Sequence, residues 1–180
     1  MMKKIGFALS LVLLFMMGSA YAQDYVDRKG FFLGFSLGGG SLNIDGGDYK
    51  EGAFLGGIRI GGGISENILL MAETNNAITD EDGVTVTHGS LNFAAQFFLN
   101  GNFYLRPGIG FASLQIDGDD GTFSFSATSD AGFNACLSAG YEFRLGKRFA
   151  LSPEATFSYS SIEGSDVTHY GLKAAFQWYF

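Results

Sequence analysis

Residues 131–145 read AGFNACLSAGYEFRL. Ala131, Phe133, Ala135, Leu137, Ala139, Tyr141, Phe143 and Leu145 share one parity, while Asn134, Cys136, Ser138, Gly140, Glu142 and Arg144 share the other. Side chains of a strand alternate between its two faces, so this stretch is a strand with one greasy and one polar face. No helical period competes with it.

The same pattern repeats outward in both directions, in segments of about ten residues. Towards the N-terminus, one face carries Phe31, Leu33, Phe35 and Leu37, then Phe54, Ile58, Ile60 and Ile64, then Ile68, Leu70 and Ala72. It continues with Leu91, Phe93, Ala95, Phe97 and Leu99, and then with Phe103, Leu105, Pro107, Ile109 and Phe111. Towards the C-terminus it holds Phe149, Leu151, Pro153, Ala155, Phe157 and Tyr159, and finally Tyr170, Leu172, Ala174, Phe176, Trp178 and Phe180. The opposite face is small or polar, and it holds every charge within these segments: Arg59, Glu73, Arg106, Glu142, Arg144, Glu154 and Lys173. His88, Ser90, Gln96, His169 and Gln177 share that face.

The connections between segments fall into two classes. Ser65 to Asn67, Asn100 to Asn102 and Gly146 to Arg148 read as three-residue turns flanked by outward apolar pairs. The stretches near 45–51, 79–83, 117–130 and 161–166 read as longer loops. Short turns at one end and longer loops at the other suit an all-β, eight-stranded antiparallel up-and-down transmembrane β-barrel, with both termini at the short-turn, periplasmic end. Aromatic spacing agrees with this. Phe103 to Phe111, Phe149 to Phe157 and Tyr170 to Trp178 each span eight residues, which on tilted strands is roughly 20 to 25 Å, the height of an apolar membrane band.

Composition closes off other classes. The 27 glycines, 19 phenylalanines and 8 tyrosines with only 2 prolines suit strands, not the helices a parallel α/β fold needs. MMKKIGFALSLVLLFMMGSAYA, residues 1–22, has two lysines, an apolar run and small residues at Ala20 and Ala22, which predicts a cleaved signal peptide and a barrel domain over 23–180. The mature chain then carries 9 basic against 18 acidic side chains, a formal charge of −9, which argues against a nucleic-acid partner. Cys136, the only cysteine, offers no intrachain disulfide. FYLRPGIGF from Phe103 and FALSPEATF from Phe149 form a weak repeat with a period of 46, as hairpin duplication would leave. Proline lacks a ladder donor, so local bulges are expected at Pro107 and Pro153. At the outer ends of strands one and five the apolar parity slips, to Leu42 and Ile44 and to Leu114 and Ile116, which read as rim above the membrane.

The terminal FQWYF, with Phe176, Trp178 and Phe180 at alternate positions, resembles the outer-membrane assembly signature. Together with the signal peptide, RPGIGF and LSPEATFSY, it resembles the outer-membrane β-barrel domain or porin-family superfamily over the whole mature chain. The resemblance implies a cell outer-membrane location, surrounding outer-membrane lipids, handling by the assembly machinery and a monomeric barrel. It implies no particular activity. A pore is not expected, because the interior of eight strands is just wide enough for side chains to fill.

Inward charges in a narrow lumen must pair, so Arg59, Glu73, Arg106, Glu142, Arg144, Glu154 and Lys173 read as a salt-bridged core. Counting across the first two turns sets Arg59 opposite Glu73 and Arg106 opposite Gln96. His88 and Ser90 in HGSLN resemble the His-x-Ser spacing of lipid A deacylases, but Leu91 intervenes before Asn92 and parity turns both residues inward. Eleven of the 18 acids, Asp45, Asp48, Glu51, Asp80, Glu81, Asp82, Asp117, Asp119, Asp120, Glu163 and Asp166, gather in the loops. DGDDG from Asp117 lacks the full ligand spacing of a calcium loop, and solvated turns are the default reading. No catalytic, cofactor or metal residues are assigned. The reading is therefore a structural or membrane-integrity barrel. The alternatives are a surface binding module using the acidic loops and, behind it, a lipid A modifying enzyme.

Overall fold

The computed structural model describes residues 27–44, 49–81, 83–119 and 124–180. The signal segment, Asp45, Asp48, Asp82 and Asp120 lie outside them. Ten strand segments run in chain order: β1 (Gly30–Ile44), β2 (Tyr49–Ser65), β3 (Ile68–Glu81), β4 (Val84–Asn100), β5 (Phe103–Asp119), β6 (Ser124–Thr128), β7 (Gly132–Tyr141), β8 (Phe143–Arg144), β9 (Phe149–Ile162) and β10 (Ser165–Tyr179). Segments β6, β7 and β8 are successive pieces of one stave, so the wall has eight antiparallel staves. Each pairs with its sequence neighbours, and β1 closes the ring on β10 from Phe32↔Tyr179 to Ile44↔Val167. No helix occurs among the described residues.

The alternation holds along the wall. Phe31, Phe54, Ile58, Leu91, Phe93, Ile109, Phe111 and Leu172 face outward and exposed, while the seven expected charges face inward. A sheet whose exposed face is apolar and whose enclosed face is charged is inverted relative to a water-soluble fold, and a bilayer is the solvent that rewards it.

Turn details differ from the sequence expectation. The first two short turns have two residues, Glu66–Asn67 and Gly101–Asn102, because a bulge between Gly63 and Ser65, and another between Phe98 and Asn100, absorbs the third. At the far end the connections near 79–83 and 161–166 are also tight, since Glu81 pairs with Val84 and Ile162 with Ser165. Glu163 and Gly164 both adopt positive φ, 50° and 82°, the backbone that matches a two-residue hairpin to the strand twist. These two far-end connections are thus as short as the turns at the terminal end.

Neither proline is bulged. The β4–β5 ladder lapses between Ala94↔Gly108 and Phe97↔Leu105 with its register unchanged, while Pro107 keeps its pairing with Leu137 of β7. The bond missing at Pro107 is therefore the one towards β4. Likewise the ladder beside Pro153 lapses between Gly140↔Glu154 and Phe143↔Leu151, again with no shift, and Ala174↔Pro153 persists on β10. A wall closed on both sides tolerates one absent donor per proline without an inserted residue.

Closure brings β1 and β10 so near that Gly38 has no room for a side chain. A Cβ there would meet the Leu172 carbonyl, whereas one on outward Gly39 would have only the Ala53 carbonyl, 3.8 Å away. Gly38→Val is expected to reduce the fraction of heat-modifiable, folded barrel on gels several-fold, with Gly39→Val close to wild type. Equal folded yields would place the closure seam elsewhere.

Candidate functional site: a stratified lumen

The inward residues form four strata. Nearest the chain termini is an aromatic and apolar cluster with Phe32, Leu69, Phe98, Tyr104 and Tyr179. Arg28 crosses it, a residue that the sequence reading missed. It precedes β1, yet it is buried, and its guanidinium reaches the Glu142 carboxylate (3.0 Å), the carbonyls of Glu66 and Gly101 (3.0 and 3.1 Å) and Asn102 Oδ1 (2.9 Å). Its Cζ lies 3.5 Å from the centroid of Phe98. Arg144 pairs with Glu142 at 2.8 Å and covers the Tyr179 ring, and Tyr179 donates to Glu142. Glu142 and Arg144 thus belong to a terminal plug that ties two tight turns to the N-terminal segment. No strand period could have announced Arg28, because it stands outside the alternating pattern.

The second stratum is the charged core. Glu154 accepts from Arg59 (3.0 Å), Arg106 (3.0 Å) and the Tyr104 hydroxyl (2.9 Å), and Lys173 Nζ lies 3.3 Å from it. Arg106 Nε also lies 3.0 Å from Glu73, and Arg106 donates to Gln96 at 3.2 Å. Arg59 is opposite Glu73 as counted, and Arg106 bonds Gln96 as counted. The ionic partners differ from the counting: Arg59 bonds Glu154 across the lumen, and Glu73 pairs with Arg106. Long side chains in a tilted, staggered barrel reach over the bore more easily than along the wall.

Above lies a neutral polar stratum joined in one donor chain. Ser160 donates to Asn134 Oδ1 (2.7 Å), so it accepts from His88 Nε2, 2.8 Å away. Asn134 Nδ2 donates to Asn92 Oδ1, Asn92 Nδ2 to Ser90 Oγ (3.0 Å), and Ser90 to the Asn75 carbonyl (3.1 Å). Asn75 reaches the charged core, donating to Glu73 and accepting from Lys173 (2.8 Å). The His169 ring stands 5.1 Å from that of His88. His88 and Ser90 are both buried inside and are not bonded to each other.

The fourth stratum is apolar. Leu42, Ala53, Leu55, Ala77, Val86, Ala112, Ile162 and Val167 pack inside the far end, with Ile44, Leu114 and Ile116 against them. The parity slip at Leu42 and Leu114, read from the sequence as rim above the membrane, is therefore a set of apolar side chains directed into the bore.

On the outer surface Phe176, Trp178 and Phe180 gather with β1 and β9. Phe35 stacks on Phe176 at 4.9 Å, Phe31 meets Phe180 at 5.5 Å, and Phe149 meets Trp178 at 4.7 Å. The terminal signature thus sits on the closing seam.

A family model described as "Outer membrane protein beta-barrel domain" matches residues 10–180. The chain belongs to this family. Among solved structures, Neisserial surface protein A is similar with a TM-score of 0.63 at 12% identity, covering 83% of this chain and 97% of that one. Ail, the attachment invasion locus protein of Yersinia pestis, in complex with the heparin analogue sucrose octasulfate, has a TM-score of 0.59 at 14% identity, covering 82% and 99%. At such identities the likeness speaks for fold alone. No curated protein sequence matches this chain. The outer membrane of the cell is thus its place, and its surroundings are membrane lipids.

Glu154 is the hub of the core, so removing its charge takes a carboxylate from three cations at once, of which Arg106 still keeps Glu73. Glu154→Gln is expected to cost on the order of 3 to 5 kcal/mol, read as a lower denaturant midpoint for loss of the folded gel band. The exchanged double variant Arg59→Glu with Glu73→Arg should recover little, because Arg59 answers to Glu154. Recovery to wild-type stability would show that the cross-strand pair dominates.

Proposed function

We propose that this barrel is a solute-tight structural element that supports outer-membrane integrity. The observation that carries the reading is the filled bore: between two apolar plugs lies a charged core whose Arg59, Glu73, Arg106, Glu154 and Lys173 are all buried. A conducting path needs water beside such charges. In this reading residues 1–22 are removed on export, and the terminal end with its tight turns and Arg28 faces the periplasm. The assembly machinery reads Phe176, Trp178 and Phe180, and the mature protein is a monomer among lipids with no nucleic-acid partner and no cofactor.

A second reading, surface binding, draws on the far end, where all five residues of β6 are exposed, Phe125 among them, beside Asp117. Ail is described with a sulfated heparin analogue; the acidic far end of this chain suits a cationic ligand instead. The deacylase alternative loses its geometric basis, because His88 and Ser90 are enclosed where no lipid substrate reaches.

Reconstituted in planar bilayers, the mature protein is expected to add no discrete conductance step at either polarity, and a strain lacking it should admit more of a large hydrophobic dye. Porin-like steps would overturn the solute-tight reading. An unchanged dye barrier, with loss of cell-surface attachment on replacing 117–130, would favour surface binding.

A further inference from the structure

His88 and His169 are the only two histidines of the chain. They come from β4 and β10, on opposite sides of the ring of staves, yet their rings meet across the bore with centroids 5.1 Å apart. Both are buried, and they mark the boundary between the neutral polar stratum and the apolar far end. The next inward positions on their two strands are Val86 and Val167 of the far-end cluster. Hydrogen bonding fixes the state of the rings. An imidazolium must donate from both nitrogens, whereas Nδ1 of either ring has no partner among the described residues. Both rings are therefore neutral as they stand, with His88 donating from Nε2 to Ser160.

A charge added here finds no counter-ion. Among the described residues, the charged group that acts on the pair is Lys173, on the same face of β10 as His169. Glu73 and Glu154 are already held by Arg59, Arg106 and Lys173, and the Cys136 thiol is turned towards Glu73. The neighbouring staves set Ala77 and Leu114 opposite His88, and Leu42 and Ser158 opposite His169, none of which titrates.

We propose that His88 and His169 form an acid-operated switch, in which proton uptake from the medium by either ring draws water through the apolar far end and unseals that half of the bore. Imidazole is the side chain suited to such a step, since its charge changes under mild acid. The imidazolium would face the second ring, Lys173 and a core that already holds one formal positive charge in excess, and its Nδ1–H would lack an acceptor. Burying such a charge is costly, so water must follow the proton in. The shortest way in is past Val86 and Val167, whose side chains can move while the ladders that close the wall persist. The terminal plug of Arg28, Glu142 and Tyr179 contains no histidine and stays shut. The switch therefore hydrates the far half of the bore without making a through channel. It goes beyond the solute-tight reading and leaves it intact.

The test places a reporter thiol in the far-end plug of the mature barrel, Val86→Cys in a Cys136→Ser background, in detergent micelles. Its reaction with 4,4′-dithiodipyridine, a disulfide that stays reactive towards thiols in acid, is followed from about pH 7.5 to about pH 4.5, relative to the unfolded chain at the same pH. The thiol should be protected at neutral pH and react about tenfold faster in acid. That rise should share its midpoint with the titration of the two imidazole rings seen by nuclear magnetic resonance. Adding His88→Gln with His169→Gln should keep the thiol protected throughout. Protection that acid leaves unchanged in the parent overturns the switch while the sealed bore stands. A rise that persists in the double variant assigns the acid response to another group, such as Glu73, and overturns the switch as well. Should the double variant not fold, a rise whose midpoint departs from the ring titration does the same. Free reaction at both pH values denies the plug itself, and overturns the solute-tight reading together with the switch.

Discussion

Inside a bilayer a backbone amide has no water to turn to, and everything in this molecule follows from that constraint. Each strand must satisfy both of its edges, which forces the ring to close, and closure is achieved by the long β1–β10 ladder. Closing eight staves then defines a narrow bore of the width that side chains can fill. The same closure turns one parity towards lipid, where charges are expensive, and gives the other an enclosed space where charges survive only by pairing. Glu154, bonded to two arginines and a tyrosine and flanked by Lys173, is what such a space demands of a buried carboxylate.

The strata inside the bore follow one logic. Among the described residues the charged core sets three basic side chains, Arg59, Arg106 and Lys173, against two carboxylates, Glu73 and Glu154, one formal positive charge in excess. The neutral stratum above absorbs part of it through oriented dipoles, with Asn75 accepting from Lys173 while donating to Glu73. Apolar clusters flank the core on both sides, and surroundings of low dielectric strengthen bonds of this kind. Arg28 belongs to the same logic at the terminal end. Its guanidinium satisfies turn carbonyls that lie inside the barrel mouth and cannot face solvent freely.

Period and parity were readable because they are local. Phe133, Leu137 and Tyr141 announce an outward face whatever surrounds them, and register follows by counting from a turn, as it did for Arg59 opposite Glu73. Three features escaped that arithmetic for physical reasons. Ion pairing across the bore depends on tilt and stagger, which no single hairpin encodes, so Arg59 was assigned the wrong partner. Leu42 and Leu114 break the outward pattern without saying whether they leave the wall or fill it, and only the closed ring shows an interior to be filled. The prolines predicted bulges because a lone hairpin would need them. In a closed wall the register on either side of Pro107 is pinned by neighbouring staves, and dropping one bond disturbs less than inserting a residue.

Parity also decides chemistry, as the His-x-Ser spacing shows. Residues two apart on a strand always share a face, so the spacing alone offers a base and a hydroxyl to whatever that face meets. His88 and Ser90 share parity with Asn92 and Gln96, and Gln96 is bound to Arg106 in the charged core. The whole strand is thereby committed, because a slip of one residue would carry Leu91, Phe93 and Phe97 inward and drive Gln96 into lipid. On this side of the wall the histidine finds Ser160 and the serine finds a backbone carbonyl, both inside a donor chain that stabilises the bore. On the other side the same two residues would meet lipid. The register of β4, set by its two ladders and shared by the Gln96–Arg106 bond, is thus what places these two residues inside the bore instead of against lipid.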